Sequence, residues 1–234
     1  TGSSGGPHLH FEVRDTESEE VLDPIEYFKE KITDTRAPKI QGILVCPQSG
    51  KGVVNGSSRK LELKPVTAKN GKQTITGKIE AWGEIGLAVK AYDYMDNTTN
   101  IYGVKDITLR QDSQIIYHSN LDRFAFDETR YLNSYVDYEE WKERRSFYMR
   151  SFVEPGNRLR FNESINRGII HIEEEKTYHL TYTLADAFGN TTRLSVWIEG
   201  KEQEIPEIET EGTELFHWMA DNRFGAKGIR TVSY

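Results

Sequence analysis

The chain has 234 residues, of which 36% are hydrophobic and 29% are charged, and its mean hydropathy is -0.66. Ten Phe, twelve Tyr and four Trp argue against a disordered chain, because this many aromatic side chains can support a folded core. No apolar run approaches the roughly 20 residues that a membrane-spanning helix needs. The sequence therefore predicts no membrane span in this segment.

The net charge of -7 is concentrated near the C-terminus. Residues 199–214 hold seven Glu and one Lys, a net charge of -6, which leaves about -1 for the rest of the chain. A nearly neutral body gives no electrostatic basis for binding nucleic acid or an anionic membrane, so neither is expected as a partner. We interpret 201–213 as an acidic linker and 214–234 as the start of a further, truncated β domain.

The first residues give little information about cellular location. Residues 1–7 (TGSSGGP) contain neither the charged nor the apolar region of a signal peptide. The single cysteine, Cys46, permits no internal disulfide and does not decide the compartment. This start is typical of a fragment cut from a longer protein.

The N-terminal segment predicts a strand followed by a short helix. Residues 8–13 (HLHFEV) alternate, which places His8, His10 and Glu12 on one face of a strand. Residues 23–31 predict a helix with Asp23 as its N-cap and Pro24 at its first position. The polar segment 33–38 ends in proline and is a plausible domain boundary, so we assign 1–34 to one unit.

Residues 39–198 mostly predict strands, with little helix between them. This pattern favours a mainly β fold, specifically a β-sandwich. Residues 135–145 (YVDYEEWKERR) instead predict a surface helix with Asp137 near its start, so 119–168 is expected to be a partly helical insertion within a domain covering 35–200. The predicted strands are Ile40–Val45, Lys60–Lys64, Thr74–Ala81, Leu87–Tyr92, Val104–Leu109, Gln114–His118, Ile169–Ile172, Tyr178–Leu184 and Thr192–Glu199.

Two strand ends resemble each other. Residues 90–97 (KAYDYMDN) and 183–190 (TLADAFGN) both consist of a strand, an aspartate and a tight turn that ends in Asn. Asp93 and Asp186 can each accept backbone N–H bonds across such a turn, or they can bind calcium. Two structural hairpins are favoured, because too few oxygen ligands cluster in the sequence for a calcium loop.

Residues 2–14 (GSSGGPHLHFEVR) resemble the final motif of the LytM/lysostaphin-type zinc metallopeptidases, the peptidoglycan endopeptidase family. That motif runs Gly-x-Ser-Thr-Gly-x-His-Leu-His-Phe-Glu into a core strand. Residues 21–28 (VLDPIEYF) also resemble the closing segment of that domain. Gly5 departs from the family pattern, where threonine is common. The likeness covers about residues 1–28, which implies the last strand and helix of a truncated LytM-type domain.

The resemblance implies roles for two histidines. His10 would be a zinc ligand and His8 the catalytic histidine beside the zinc-bound water. Zinc lowers the pKa of its bound water to about 7 and needs about three protein ligands. The family takes its remaining ligands from upstream, so zinc is expected in the parent protein and this fragment alone is expected to be inactive. Four other histidines lie singly on predicted strands and are expected to be structural: His118, His171, His179 and His217.

Residues 35–200 resemble a bacterial immunoglobulin-like module. The likeness lies in the opening DTRAP of 34–38, the AYD of 91–93 and the ADAFGN of 185–190. A LytM-type domain followed by such a tail resembles peptidases of Bacteroidetes-type envelopes. The resemblance implies that the chain is the C-terminal part of a periplasmic or secreted zinc metalloendopeptidase. Its substrates would be peptidoglycan peptides, and other envelope proteins would be further partners. The alternatives are a non-catalytic LytM-type protein that binds the cell wall or regulates an enzyme, and a structural adhesion module.

Overall fold

The computed structural model describes residues 9–206 and the backbone of residues 216–218, 223–226 and 229–233. The described part is mainly β, as predicted. Its α-helices are short: α1 (Ile25–Phe28), α2 (Leu132–Tyr135) and α3 (Tyr138–Arg144). Short 3₁₀ helices cover Lys29–Lys31, Phe126–Tyr131 and Asn166–Gly168.

The strands are numbered in chain order. They are β1 (Val13–Arg14), β2 (Val21–Leu22), β3 (Lys39–Val54), β4 (Leu61–Leu63), β5 (Val66–Thr67), β6 (Gln73–Thr74), β7 (Glu80–Tyr92), β8 (Asp106–Gln111), β9 (Gln114–Asn120), β10 (Arg123–Phe124), β11 (Met149–Arg150), β12 (Asn162–Ser164), β13 (Ile170–Ile172), β14 (Thr177–Ala185), β15 (Thr191–Gly200), β16 (Phe216–Trp218), β17 (Arg223–Ala226) and β18 (Ile229–Ser233). The central sheet has ten strands, eight of them in the order β12-β9-β8-β14-β15-β7-β3-β4.

The long strand β7 organises this curled sheet. One edge pairs antiparallel with β3, and the other edge pairs in turn with the end of β15, with β13 and with β11. The β3–β7 register is irregular between Pro47 and Gly52, beside Gly83, whose φ is 77°. A Cβ on Gly83 would lie 2.1 Å from the Lys51 carbonyl oxygen, so only glycine fits this close approach.

The main core fills the inside of the curled sheet. Alternate residues of β14 are buried, including Leu180, Tyr182 and Leu184, as the period of a strand with one covered face requires. They pack with buried residues of the other strands, such as Val89 of β7 and Val196 of β15. Burial of this apolar surface is the main favourable contribution to folding.

A second core lies on the opposite face of β3 and β7. Leu44, Cys46 and Ala88 point to this face, and Tyr148 and Phe152 from the 119–168 segment cover them. The two long strands are therefore buried on both faces. The predicted insertion at 119–168 therefore contributes side chains to this second hydrophobic core.

The predicted helix of the insertion forms as α3. Asp137 is its N-cap and accepts a hydrogen bond from the Glu140 backbone N–H at 3.2 Å. Its buried carboxylate also lies 2.8 Å from Lys60 Nζ and 3.4 Å from an Arg150 nitrogen. Asp137 therefore joins the insertion to the edge of the sheet near β4.

The N-terminal segment packs on the insertion. Strand β2 pairs antiparallel with both β1 and β10. Helix α1 begins after Asp23, which accepts the Ile25 N–H at 2.9 Å, with Pro24 at the N-cap position one residue later than predicted. The Lys105 ammonium lies 3.1 Å from Asp23 Oδ2 and also pairs with Glu26.

Several predicted strands differ from the structure. Strand β3 continues to Val54, beyond its predicted end at Val45, and β7 begins at Glu80, before its predicted start at Leu87. In the segment predicted as a strand over 8–13, the described residues 9–12 are outside any strand, and β1 begins at Val13. The predicted strand over 74–81 is divided, because Gly77 adopts a φ of 103° between β6 and β7.

The C-terminal region is described in part. Residues 201–206 of the acidic linker form no regular structure, while 207–213 lie outside the described residues. Strands β16, β17 and β18 form an antiparallel three-stranded sheet. Among the residues that the structure describes, no helix is long and apolar enough to cross a membrane.

Candidate functional site

The histidine motif lies at the start of the described chain. His8 falls outside the described residues. His10 is exposed, and its Nε2 lies 3.4 Å from Glu12 Oε2, so these two side chains are neighbours although residues 9–12 form no strand. Arg14 donates from Nε to Glu12 Oε1 at 2.7 Å, and this hydrogen bond lowers the pKa of Glu12.

The apolar side of the same segment is largely open to solvent. Leu9 is 93% exposed and Phe11 is 62% exposed. Phe11 contacts Phe28 of α1, with the ring centroids 5.8 Å apart. Among the described residues, the apolar side of this segment is therefore covered only in part.

The described residues do not complete a zinc centre at His10. A catalytic zinc takes about three protein ligands, mostly nitrogen or sulfur. The other described histidines are engaged elsewhere: His118 with Asp106 at 2.6 Å, His171 with Asn166 at 2.5 Å, and His179 stacked on Trp197 at 3.9 Å. Within residues 9–206 the donor set therefore does not fit a zinc ion at this position.

A second candidate site is a cluster of three aspartates at one end of the sheet. Asp34 lies shortly before β3, Asp93 directly follows β7, and Asp186 directly follows β14. Each can place one carboxylate oxygen within 4.8 Å of the other two, and all three residues are buried. We call these three residues the aspartate cluster.

Backbone groups hold the cluster in place. The N–H groups of Arg36 and Asp96 donate to Asp34 Oδ1 at 3.1 Å each. Asn190 donates from its backbone N–H to Asp186 Oδ1 at 2.8 Å and from its side chain to Asp186 Oδ2 at 2.7 Å. The Asn190 side-chain amide also donates to the Asp34 carbonyl at 3.1 Å, which links the turn to the linker.

Two carboxylate oxygens of the cluster have no hydrogen-bond partner. These are Asp34 Oδ2 and Asp93 Oδ1, and each residue is only 7% exposed. A buried carboxylate oxygen that accepts no hydrogen bond is costly and rare in proteins. The protein part of this site is therefore incomplete in its polar interactions.

The pKa of Asp93 is consistent with the burial and the close spacing of the three carboxylates. Burial raises the pKa of Asp93 to about 6, and the nearby carboxylates of Asp186 and Asp34 contribute in the same direction. A hydrogen bond from the Tyr94 backbone and the charge of Arg36 oppose the shift but do not cancel it. A positive charge placed among the three carboxylates would favour their ionised forms.

Comparison with protein-family models, with curated proteins and with solved structures finds no match for this chain.

Sequence reasoning found the parts of the aspartate cluster but did not bring them together. The repeated strand–Asp–turn–Asn pattern identified Asp93 and Asp186, and the DTRAP segment contained Asp34. Calcium was disfavoured because the ligands do not cluster along the chain. The sequence pattern does place each of the three aspartates next to a predicted strand. This position at a strand end is the signal that could have indicated the cluster.

Proposed function

We propose that this chain is the C-terminal part of a bacterial periplasmic or secreted zinc metalloendopeptidase that hydrolyses peptide bonds in peptidoglycan. The observation that carries the proposal is the motif GSSGGPHLHFEVR of residues 2–14. Residues 1–34 would be the last part of a LytM-type domain. Residues 35–200 would be its accessory module, with an immunoglobulin-like sandwich as the underlying fold.

Two structural features support this proposal. His10 and Glu12 are neighbours, and Leu9 and Phe11 expose an apolar surface. An exposed apolar side is expected of a segment that packs against the rest of the proposed peptidase domain. Helix α1 at 25–28 follows in the position that the resemblance predicts.

The proposal gives the two histidines different roles. His10 would be one zinc ligand, with the remaining ligands supplied by the upstream part of the parent protein. His8 would lie beside the ion and move a proton at its own imidazole during the reaction. In this proposal the ion and its activity belong to the parent protein.

The experiment uses the full-length parent protein and measures zinc content and cleavage of cross-linked muropeptides. His10→Ala should lose zinc and activity together, because it removes a ligand. His8→Ala should keep zinc while turnover falls by about 10²–10⁴-fold, the usual effect of losing general acid–base help. His171→Ala is the control, because this histidine is exposed on β13 and contacts Asn166 and Glu173, and it should change neither quantity.

Two outcomes would contradict these assignments. Equal loss of zinc in both variants would make His8 a ligand. Full cleavage activity in both variants, or no cleavage by the wild-type parent, would leave a non-catalytic protein that binds the cell wall or regulates another enzyme as the better interpretation.

A further inference from the structure

The aspartate cluster brings together three parts of the chain that are distant in sequence. Asp34 belongs to the linker that precedes the β-rich body, whereas Asp93 and Asp186 end two strands of that body. Thr35 adds a further contact, because its N–H and hydroxyl donate to Asp96 Oδ2 at 3.0 and 2.9 Å. The cluster is therefore the point where the linker is attached to the sheet.

The buried polar atoms indicate that a cation completes this attachment. Asp34 Oδ2 and Asp93 Oδ1 accept no hydrogen bond although each residue is more than nine-tenths buried. The backbone N–H of Arg36 donates to the other oxygen of Asp34, and that of Asn190 donates to Asp186, so neither donor satisfies these two oxygens. Buried charges in proteins are normally paired or coordinate metals.

The spacing of the carboxylates fits calcium. Two oxygens bound to one ion can be no farther apart than the sum of two bond lengths, roughly 4.6–5.2 Å for calcium. The three donor atoms lie within 4.8 Å of one another. Three carboxylates supply between three and six of the six to eight oxygens that calcium takes, and water or backbone carbonyl groups can supply the rest.

The donor chemistry distinguishes calcium from other common ions. All three donors are carboxylate oxygens, whereas zinc prefers nitrogen and sulfur ligands. Magnesium dehydrates reluctantly and is usually held by one or two carboxylates with several waters. A buried group of three carboxylates is better matched to calcium. A surface cavity of about 370 Å³ borders Asp93, the one member of the cluster that lines it.

We propose that Asp34, Asp93 and Asp186 form a calcium site that fixes the linker to the end of the β-rich body. The ion would satisfy the two unpartnered oxygens and neutralise the repulsion among the three carboxylates. It would also set the direction in which residues 9–34 leave the body. This inference does not depend on the peptidase function.

The test titrates calcium chloride into the present chain after removal of metal with a chelator, and follows heat of binding and thermal unfolding. Calcium at 100 times its Kd should raise Tm by about 5–10 °C, from the binding linkage and the usual relation between stability and Tm. Magnesium and zinc at the same concentration should give smaller shifts. The same titration of the parent protein separates this site from the peptidase site, because His10→Ala should leave it unchanged.

Two variants make the test specific. Asp93→Asn removes one ligand charge and should weaken calcium binding by about tenfold or more, because ligand charge sets calcium affinity. Asp112→Asn is the matched control, since it removes an exposed aspartate at a turn of positive φ that asparagine tolerates, and it should bind calcium as the wild type does.

The wild-type titration decides the matter without any variant. Absence of binding at about 10 mM calcium, above the 10⁻⁴–10⁻³ M range of extracellular modules, would overturn the proposal. Equal affinity of the wild type and Asp93→Asn would overturn it as well. If Asp93→Asn does not fold, Asp34→Asn replaces it with the same expected loss.

Discussion

Replacing Asp93 by asparagine should stabilise the metal-free protein at neutral pH. Burial is the main cause that raises the pKa of Asp93 from 3.8 to about 6, and the carboxylates of Asp186 and Asp34 contribute in the same direction. Asparagine has nearly the same shape and carries no charge. The substitution therefore removes the electrostatic cost of ionising this buried group while it keeps the turn.

The magnitude follows from the two pKa values. The difference between about 6 and 3.8, at 1.36 kcal/mol for each pKa unit, corresponds to about 3 kcal/mol. Screening by nearby solvent reduces this cost, so we expect about 2–3 kcal/mol.

The sign of the pH dependence is set by the raised pKa. A carboxyl group whose folded pKa exceeds its unfolded pKa stabilises the fold below about pH 4, and this contribution is lost as the pH rises through about 6. The free energy of unfolding of Asp93→Asn should therefore equal that of the wild type near pH 4. It should exceed the wild-type value by about 2–3 kcal/mol at pH 8.

The assay is urea unfolding in the presence of a chelator at several pH values between 4 and 8, followed by circular dichroism. The comparison of wild type with variant isolates Asp93, because the other titrating groups are common to both proteins. A difference that does not change with pH would refute the reasoning, as would a variant less stable than the wild type at pH 8.

Three further predictions concern the packing of the two cores. Asp137→Ala should lower the free energy of unfolding in urea by about 2–4 kcal/mol, because it removes the N-cap of α3 and the buried carboxylate that pairs with Lys60 and Arg150. Gly86→Ala should lower the free energy of unfolding by about 1–3 kcal/mol, because its Cβ would lie 2.4 Å from the Phe152 ring. Gly103→Ala is the control and should lower it much less, because the space around Gly103 is open. The Cys46 thiol is buried, and burial raises its pKa to about 12. A thiol reagent should therefore label Cys46 only at the rate at which the protein unfolds. Rapid labelling of the folded protein would contradict this expectation.

Much of the local structure was contained in the sequence. The alternation in 178–184 predicted β14, and the charged segment 135–145 with its Asp137 cap predicted α3. The Asp23-Pro24 pair predicted the start of α1. These predictions succeed because hydrophobic period and capping chemistry act between residues a few positions apart.

The tertiary structure decided which of these elements meet. Sequence periodicity could not show that β3 and β7 are covered on both faces, because Tyr148 and Phe152 come from a distant segment. It also could not show that Asp34, Asp93 and Asp186 converge in one buried cluster. Convergence of this kind depends on strand order and register, which are set by long-range packing of the whole sheet and not by neighbours along the chain.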